Sequence, residues 1–189
     1  MKRIIIGLCM AFAFATAFAQ EHSAENAVQQ VKPPSEKAPW PVWVTFNNTR
    51  DVDVIGLRLT LPYGSCESVT GFDVGFFGRC RYFEGFQMNI LRNDVTDVMV
   101  GAQGGIYNSA GRADFIGVQL GCWNESRSIR GAQVGLVNVA DFSTGVQIGI
   151  INRTEAMYGF QLGLVNVIRE SELSFCPILN VGFDTISEF

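Results

Sequence analysis

The sequence predicts an all-β fold, on three observations. A motif of the form G-x-Q-x-G-x-x-N returns every 14 residues in the second half of the chain, with copies that begin at Gly117, Gly131, Gly145 and Gly159. Within a copy, aliphatic residues alternate with glycine and glutamine, which is the period-two pattern of a β-strand. Helical spacing is absent from the copies. We therefore expect about ten short strands in 14-residue repeats, each followed by a polar turn.

Degenerate copies precede these four. They begin at Gly101, Gly85, Gly71 and Gly56, and Arg58 stands in the Gly56 copy where glutamine stands elsewhere. Residues 42–46 fit a further copy, and residues 173–180 fit a degenerate last one. We interpret the repeated amides as structural ladders rather than as the lining of a binding surface or lumen. They are Gln87, Gln103, Gln119, Gln133, Gln147 and Gln161, together with Asn108, Asn124, Asn138, Asn152, Asn166 and Asn180.

Two closures fit such a chain. The favoured one is an antiparallel meander that closes into a barrel-like sheet, with the aliphatic side chains outward and glycine and glutamine inward. The alternative is a β-solenoid with 28-residue coils, two copies per coil, with the aliphatic faces inward and an asparagine ladder along one edge. A 14-residue coil is disfavoured, because it needs a second strand from the polar residues between copies.

The cysteines distinguish these closures. Cys66 and Cys80 lie in successive predicted turns. In a meander or a 28-residue coil these turns lie at opposite ends of a strand, roughly 30 Å apart by the rise per residue, and no disulfide forms. In a 14-residue coil they would be adjacent and able to bond. The disulfide state of these two and of Cys122 and Cys176 is left open.

The start of the chain predicts export. Residues 1–19 have the basic start, apolar stretch and small-residue cleavage site of a signal peptide. Residues 20–39 are polar and non-periodic, which is typical of a flexible tether. Residues 40–189 form the predicted β repeat domain. We expect the outer membrane or cell surface as its location, with the periplasm or secretion as the alternative.

Composition argues against several classes of function. The net charge is −4 and no Lys/Arg cluster occurs, so nucleic-acid binding is not expected. The one histidine, His22, lies in the predicted tether. Carboxylate pairs such as Asp51 with Asp53, or Asp94 with Asp97, fall in predicted turns, where solvated aspartate is common. We predict no catalytic, cofactor-binding or metal-binding residues and no cofactor.

The order of motifs resembles that of leptospiral-type bacterial surface repeat proteins. The matching stretches are GLRLTLPYG from Gly56, GFDVGFF from Gly71, the six Gln-bearing copies and CPILNVGF from Cys176. The resemblance covers about residues 54 to 183. It implies export and a surface or envelope location, and it implies no established activity.

These observations favour a non-enzymatic envelope protein, whose β repeats are a scaffold for binding or adhesion through variable turns such as residues 125–130 and 153–157. Its expected partner is a surface ligand or envelope component, with outer-membrane lipid as a further possibility. The alternative is a small outer-membrane barrel that acts as a pore or anchor. A secreted hydrolase using a turn carboxylate such as Asp141 is the least favoured hypothesis.

Overall fold

The computed structural model describes residues 36–37, 41–49 and 52–183, and these ranges contain β-strands and no helix. The strands are β1 (Glu36–Lys37), β2 (Val42–Thr49), β3 (Val52–Ile148), β4 (Ile151–Ile168) and β5 (Phe175–Phe183). The predicted signal peptide lies outside the described residues. So does the predicted tether, apart from β1, which pairs in parallel with Val52 and Asp53 of β3.

The chain winds into a β-solenoid of stacked parallel coils. Val137 pairs with Ile151 and Ile148 with Leu162, so residues 151–162 of β4 lie beside the residues 14 positions earlier in β3. β2 pairs with β3 in the same parallel sense, and residues 42–46 therefore belong to a first coil as expected. The predicted antiparallel meander and its barrel closure are wrong, because successive copies run in the same direction and the chain between them must return.

One copy of the motif, together with the residues up to the next copy, makes one whole coil. The all-β prediction and the alternative β-solenoid are therefore confirmed, whereas the predicted 28-residue coil is wrong. The residues between the asparagine of one copy and the glycine of the next, here called the return segment, supply the strand that closes each coil. They were predicted to be too polar for this. However, each contains an apolar side chain that turns inward, such as Ile129, Ala140 or Met157.

The inward and outward sides of the copy are also the reverse of those predicted for the solenoid. The glutamines and asparagines are fully buried, whereas Leu120, Leu136 and Leu164 are at least half exposed. This is the orientation predicted for the barrel, found in a different closure. The fifth residue of the copy explains it, since a Cβ added at Gly149 would lie 2.6 Å from Nδ2 of Asn138. The interior is already filled by amides.

The first glycine of each copy is fixed by the stacking of coils. Gly131 has φ +142°, a conformation that residues with a side chain rarely adopt. A Cβ added there would lie 2.0 Å from the carbonyl oxygen of Gly117 in the preceding coil. The same contact recurs along the stack, and it explains why all eight copies begin with glycine.

An apolar cluster fills the rest of the interior, on the side of the return segments. Trp43 of β2 packs against its N-terminal end. Its buried members are Val52, Val54, Cys66, Val69, Cys80, Phe83, Val95, Met99, Ala110, Ala113, Phe115, Ile129 and Ala140.

The last strand covers the end of the stack. β5 pairs antiparallel with β4, with Gln161 opposite Asn180 and Tyr158 opposite Phe183. The prediction that residues 173–180 form one more copy is therefore wrong, since the chain reverses after Ile168 instead of completing another parallel coil. Pro177 lacks the N–H that a further coil would require and lies where the β4–β5 register shifts.

Candidate functional site

The six repeated glutamines form a ladder through the interior. In each step Nε2 of one glutamine donates to Oε1 of the glutamine one coil earlier, from Gln161 to Gln147 at 2.7 Å through to Gln103 and Gln87 at 2.9 Å. All six side chains are at most 1% exposed. Burying an amide without a partner costs about 1–3 kcal/mol. The ladder avoids that cost at each step by pairing equivalent residues, and it leaves only Oε1 of Gln161, at its C-terminal end, without a partner among the described residues.

The asparagines form a second ladder that runs in the opposite direction. Nδ2 of Asn124 donates to Oδ1 of Asn138 in the next coil at 2.8 Å, and Asn138 donates likewise to Asn152. The second proton of Asn138 goes to the carbonyl oxygen of Ile148. Because glutamine donors point toward the N-terminal end and asparagine donors toward the C-terminal end, the side-chain dipoles of the two ladders oppose each other along the solenoid axis.

The asparagine ladder differs from the predicted set at both ends. Asn93, which donates to Asn108, and Asn89, which donates to Asn93, extend it in the N-terminal direction. Asn180 of β5 does not join it, because its side chain donates to the carbonyl oxygen of Leu173, which precedes β5. The signal for Asn93 was present in the sequence, in the copy that is one residue longer than the others.

The glutamine ladder ends on a buried ion pair. Gln87 donates to Oδ2 of Asp73 at 3.1 Å, and Asp73 receives both Nε and Nη2 of Arg58. Both charged side chains have no exposed surface. Arg58 and Asp73 occupy the position of the motif that glutamine holds in the later coils, so the departure from the motif was visible in the sequence, but its role was not predicted.

Asp73 gathers enough donors to remain charged inside the protein. Besides Arg58, it accepts hydrogen bonds from Thr60 Oγ1 at 2.9 Å and from Asn89 Nδ2 at 2.8 Å. Burial by itself would raise the pKa of Asp73, but the Arg58 charge and the hydrogen bonds from Arg58, Asn89 and Gln87 outweigh it and hold the pKa below its usual value. The pair is therefore a fixed internal charge pair over the neutral range.

Two thiols lie beside this pair. Cys66 and Cys80 are free and buried, and Nη1 of Arg58 lies 2.7 Å from Sγ of Cys66. Burial raises the pKa of the Cys66 thiol to about 11 despite the nearby Arg58 charge, and it raises that of Cys80 as well. Both are thus protonated at neutral pH, where a thiol is a poor nucleophile and a poor metal ligand. Cys122 and Cys176 are also free.

The outward side of the copies is an uncharged surface, here called the apolar face. It consists of the second, fourth and sixth residues of the eight copies, which point away from the interior in three parallel rows. The rows are Leu57, Phe72, Phe86, Ala102, Val118, Ala132, Val146 and Phe160; Leu59, Val74, Met88, Gly104, Leu120, Val134, Ile148 and Leu162; and Leu61, Phe76, Ile90, Ile106, Cys122, Leu136, Ile150 and Leu164.

The apolar face is large for an exposed surface. Eight coils spaced about 4.8 Å apart and a strand of five to six residues rising about 3.3 Å each give roughly 700 Å². The largest apolar patch of a typical soluble monomer is about 300–600 Å². Phe72 and Phe86 are stacked on this face, with ring centroids 5.6 Å apart, and both are more than half exposed. The face is therefore larger than the apolar patch that a typical soluble monomer exposes.

Most exposed charged residues lie on the other side of the coil, on the return segments. The segments predicted to be variable binding turns, residues 125–130 and 153–157, lie on return segments, and their side chains alternate between outward charges and buried residues. Arg81 of another return segment bonds Asp97 and Glu67 in the coils on either side. These segments are strands that carry ion pairs rather than free loops.

Two of the carboxylates considered for hydrolysis, Asp94 and Asp97, lie beside arginines. Asp97 bonds Arg81, and Asp94 lies 3.6 Å from Arg79 and 3.5 Å from Arg92. Asp141 is exposed on a return segment, and Asp51 and His22 lie outside the described residues. No group of histidine, cysteine and carboxylate side chains among the described residues has the arrangement of a metal site. The described part of the chain also contains no helix with the length and hydrophobicity of a membrane span.

Comparison with known proteins gives no relative. No protein-family model matches the chain, and no curated protein or solved structure does so.

Proposed function

We propose that this protein is a non-enzymatic, exported envelope protein whose β-solenoid is a scaffold for binding, with the apolar face as its binding surface. The observation that carries the proposal is the separation of the two sides of the coil. The apolar face holds no charged residue in any of the eight copies, whereas exposed charges such as Arg127 and Asp141 lie on the return segments.

The energetics of the exposed side chains support a bound partner. Leu120, Leu136 and Ile150 in neighbouring coils expose between 47% and 52% of their surface. Covering such side chains gains about 25 cal/mol for each Å² of apolar area. The interior gains nothing from these residues, since the amide ladders and the apolar cluster fill it. The recurrence of exposed aliphatic side chains in neighbouring coils is explained by contact with a partner outside the solenoid.

The absence of catalytic function is supported by the state of the reactive groups. The buried thiols are protonated, Asp73 is held by Arg58, and the surface carboxylates Asp94 and Asp97 are paired with arginines.

The proposed export and envelope location rest on the signal-like residues 1–19 and on the resemblance of the motif order to that of bacterial surface repeat proteins. The partner is an envelope component or surface ligand with an apolar surface of its own. A lipid bilayer is a second candidate for the same face, since its acyl region is also uncharged.

The proposal is tested in a diderm bacterial host expressing the chain with its own N-terminus. Native envelope extracts are separated by size, and the wild type is compared with a double variant of the apolar face, Leu120→Asp with Leu136→Asp. Arg127→Ser with Arg130→Ser is the matched control, because it lowers the net charge by the same amount on exposed return-segment positions.

We expect the wild type and the control in the envelope fraction within an assembly larger than the free chain, and the face variant as the free chain. Circular dichroism of all three purified proteins checks that the coils are intact. Migration of the wild type as a free chain, or an assembly unaffected by the face variant, contradicts the proposal. A wild type that remains in the cytoplasm contradicts export.

A further inference from the structure

We propose that the partner of the apolar face is a second copy of the same chain, bound face to face about a twofold axis that runs along the strand direction between the Gly85 and Gly101 coils. This inference rests on the proposed function and names the partner of the same surface. Three features of the face carry it: its area, its charge and its relief.

The area fits a stable dimer. A standard protein interface buries about 800 Å² on each partner, and the flat part of the apolar face amounts to roughly 700 Å² from strand geometry. The seventh residue of the copy adds apolar surface at the edge, including Trp123 and Ile151, which are both about two-fifths exposed. Two such faces would pack as two sheets do in a sandwich, about 10 Å apart.

The charge favours a protein partner over a lipid surface. Segments that lie on bilayers combine an apolar side with flanking lysine and arginine residues, which attract anionic headgroups. Here no lysine follows Lys37, the net charge of the chain is −4, and the return segments carry both signs. An uncharged face that packs against the same face of a second chain needs no flanking basic residues.

The relief of the face is self-complementary. The Gly85 coil projects two large side chains, Phe86 at 58% and Met88 at 62% exposure. In the next coil the same rows hold Ala102 and Gly104, so a ridge lies directly beside a trough. Among the described residues, and apart from its two neighbours in the chain, only Met88 comes within 4 Å of a Cβ built at Gly104, and the nearest atom, Cε, is 3.8 Å away.

With a twofold axis along the strand direction, the ridge of one chain packs into the trough of the other. Such an axis reverses the order of coils in the second chain and places each row opposite the same row of the first chain. With the axis between these two coils, Met88 of one chain contacts Gly104 of the other. Phe86 meets Ala102 in the same way, and both contacts occur twice, as an isologous interface requires. The axis also lies near the middle of the stack, so the outer coils overlap as well.

The face continues onto the first coil without interruption. Val42, Val44 and Phe46 of β2 are exposed by 49%, 58% and 73%, and their register places them beside the Gly56 copy. With the proposed axis these side chains oppose the coil that begins at Gly145. At the C-terminal end β5 covers the last coil, so addition of a further parallel coil from another chain is blocked there and lateral pairing remains.

The experiment is sedimentation velocity over a concentration series on the exported chain, with four variants. Gly104→Met fills the trough, and Met88→Gly removes the ridge. Met88→Gly with Gly104→Met exchanges ridge and trough within the chain. Arg127→Met is the control on a return segment. None of these positions has a φ in the left-handed region, and their side chains point outward, so circular dichroism and thermal melts serve to check that each variant is folded.

We expect the wild type to dimerise, with each single face variant weakening dimerisation by about tenfold or more, equivalent to about 1.4 kcal/mol. The double variant should return to within a few fold of the wild type, because the exchanged ridge again meets a trough. The control should be unchanged.

Three results overturn the inference. The first is a wild type that stays monomeric at every concentration. The second is a monomer that floats with vesicles of phosphatidylethanolamine and phosphatidylglycerol, which makes lipid the occupant. The third is a dimer that is indifferent to the single variants or is not restored in the double variant. A monomeric purified chain that still forms a face-dependent assembly in envelope extracts overturns the dimer and leaves the proposed function standing; loss of both overturns both.

Discussion

The same position of the repeat is occupied in two ways along the solenoid. In the later coils a glutamine donates to the glutamine before it, and every step is neutral. In the Gly56 and Gly71 coils the position holds Arg58 and Asp73, two opposite charges with no exposed surface. In both regions the side chains at this position are paired by hydrogen bonds between coils. They differ in the free-energy cost of losing one partner, because an unpaired buried charge costs far more than an unpaired amide.

The largest expected effect is therefore at the charged step. Asp73→Ala leaves Arg58 buried without its counter-ion, and we expect the free energy of unfolding in urea to fall by about 3–5 kcal/mol. Arg58→Gln with Asp73→Gln is the informative control, since it extends the neutral ladder by two steps toward β2. If the double variant is as unstable as Asp73→Ala, the two solutions are not interchangeable and the ion pair has a role that the ladder cannot supply.

Low pH should also lower the stability contributed by the charged step more than that contributed by the neutral ladder. The pKa of Asp73 is lower in the folded protein than its ordinary value, so the pair contributes its full stabilisation above the unfolded pKa of about 3.9. That contribution is lost as the pH falls through the folded pKa. Urea unfolding between neutral pH and about pH 2.5 should show the wild type losing more stability below about pH 4 than the Arg58→Gln, Asp73→Gln variant. Parallel curves for the two proteins would contradict this assignment.

The smallest expected effect is a break within the neutral ladder. Gln133→Leu removes the acceptor of the Gln147 Nε2 and the donor to the Gln119 Oε1. These two atoms stay buried without that hydrogen bond, although each amide keeps its bond to the glutamine on its other side. We expect a loss of about 1–3 kcal/mol in the free energy of unfolding. Val134→Ala on the apolar face of the same coil is the control for a shortened side chain, because Val134 is 36% exposed. A loss at Gln133 no greater than at Val134 would mean that the ladder is not what stabilises the coil.

Particular residues show which features of the fold could be predicted from the sequence and which could not. The alternation around Gln147 predicted a strand, and the position of Arg58 in place of glutamine was evident. The error lay in the return segments, where residues such as Arg127 and Arg153 indicated a turn. Side chains that point inward between these charges, Ile129 and Met157, are too widely spaced to predict a strand without knowledge of the coil. The charged step was missed because Asp73 becomes a partner of Arg58 only after the coil has stacked.

The sequence by itself determined the period, the β conformation and the two sides of each copy, because period-two alternation places successive side chains on opposite faces of a strand. It also determined that glycine begins every copy. Only the tertiary structure decided which side is the interior. Aliphatic residues usually turn inward, but here the amides of Asn138 and Asn152 lie against Gly149 on that side. These amides pair with one another only when the copies lie in parallel register. That pairing joins residues from different coils, so no single copy of the motif contains it.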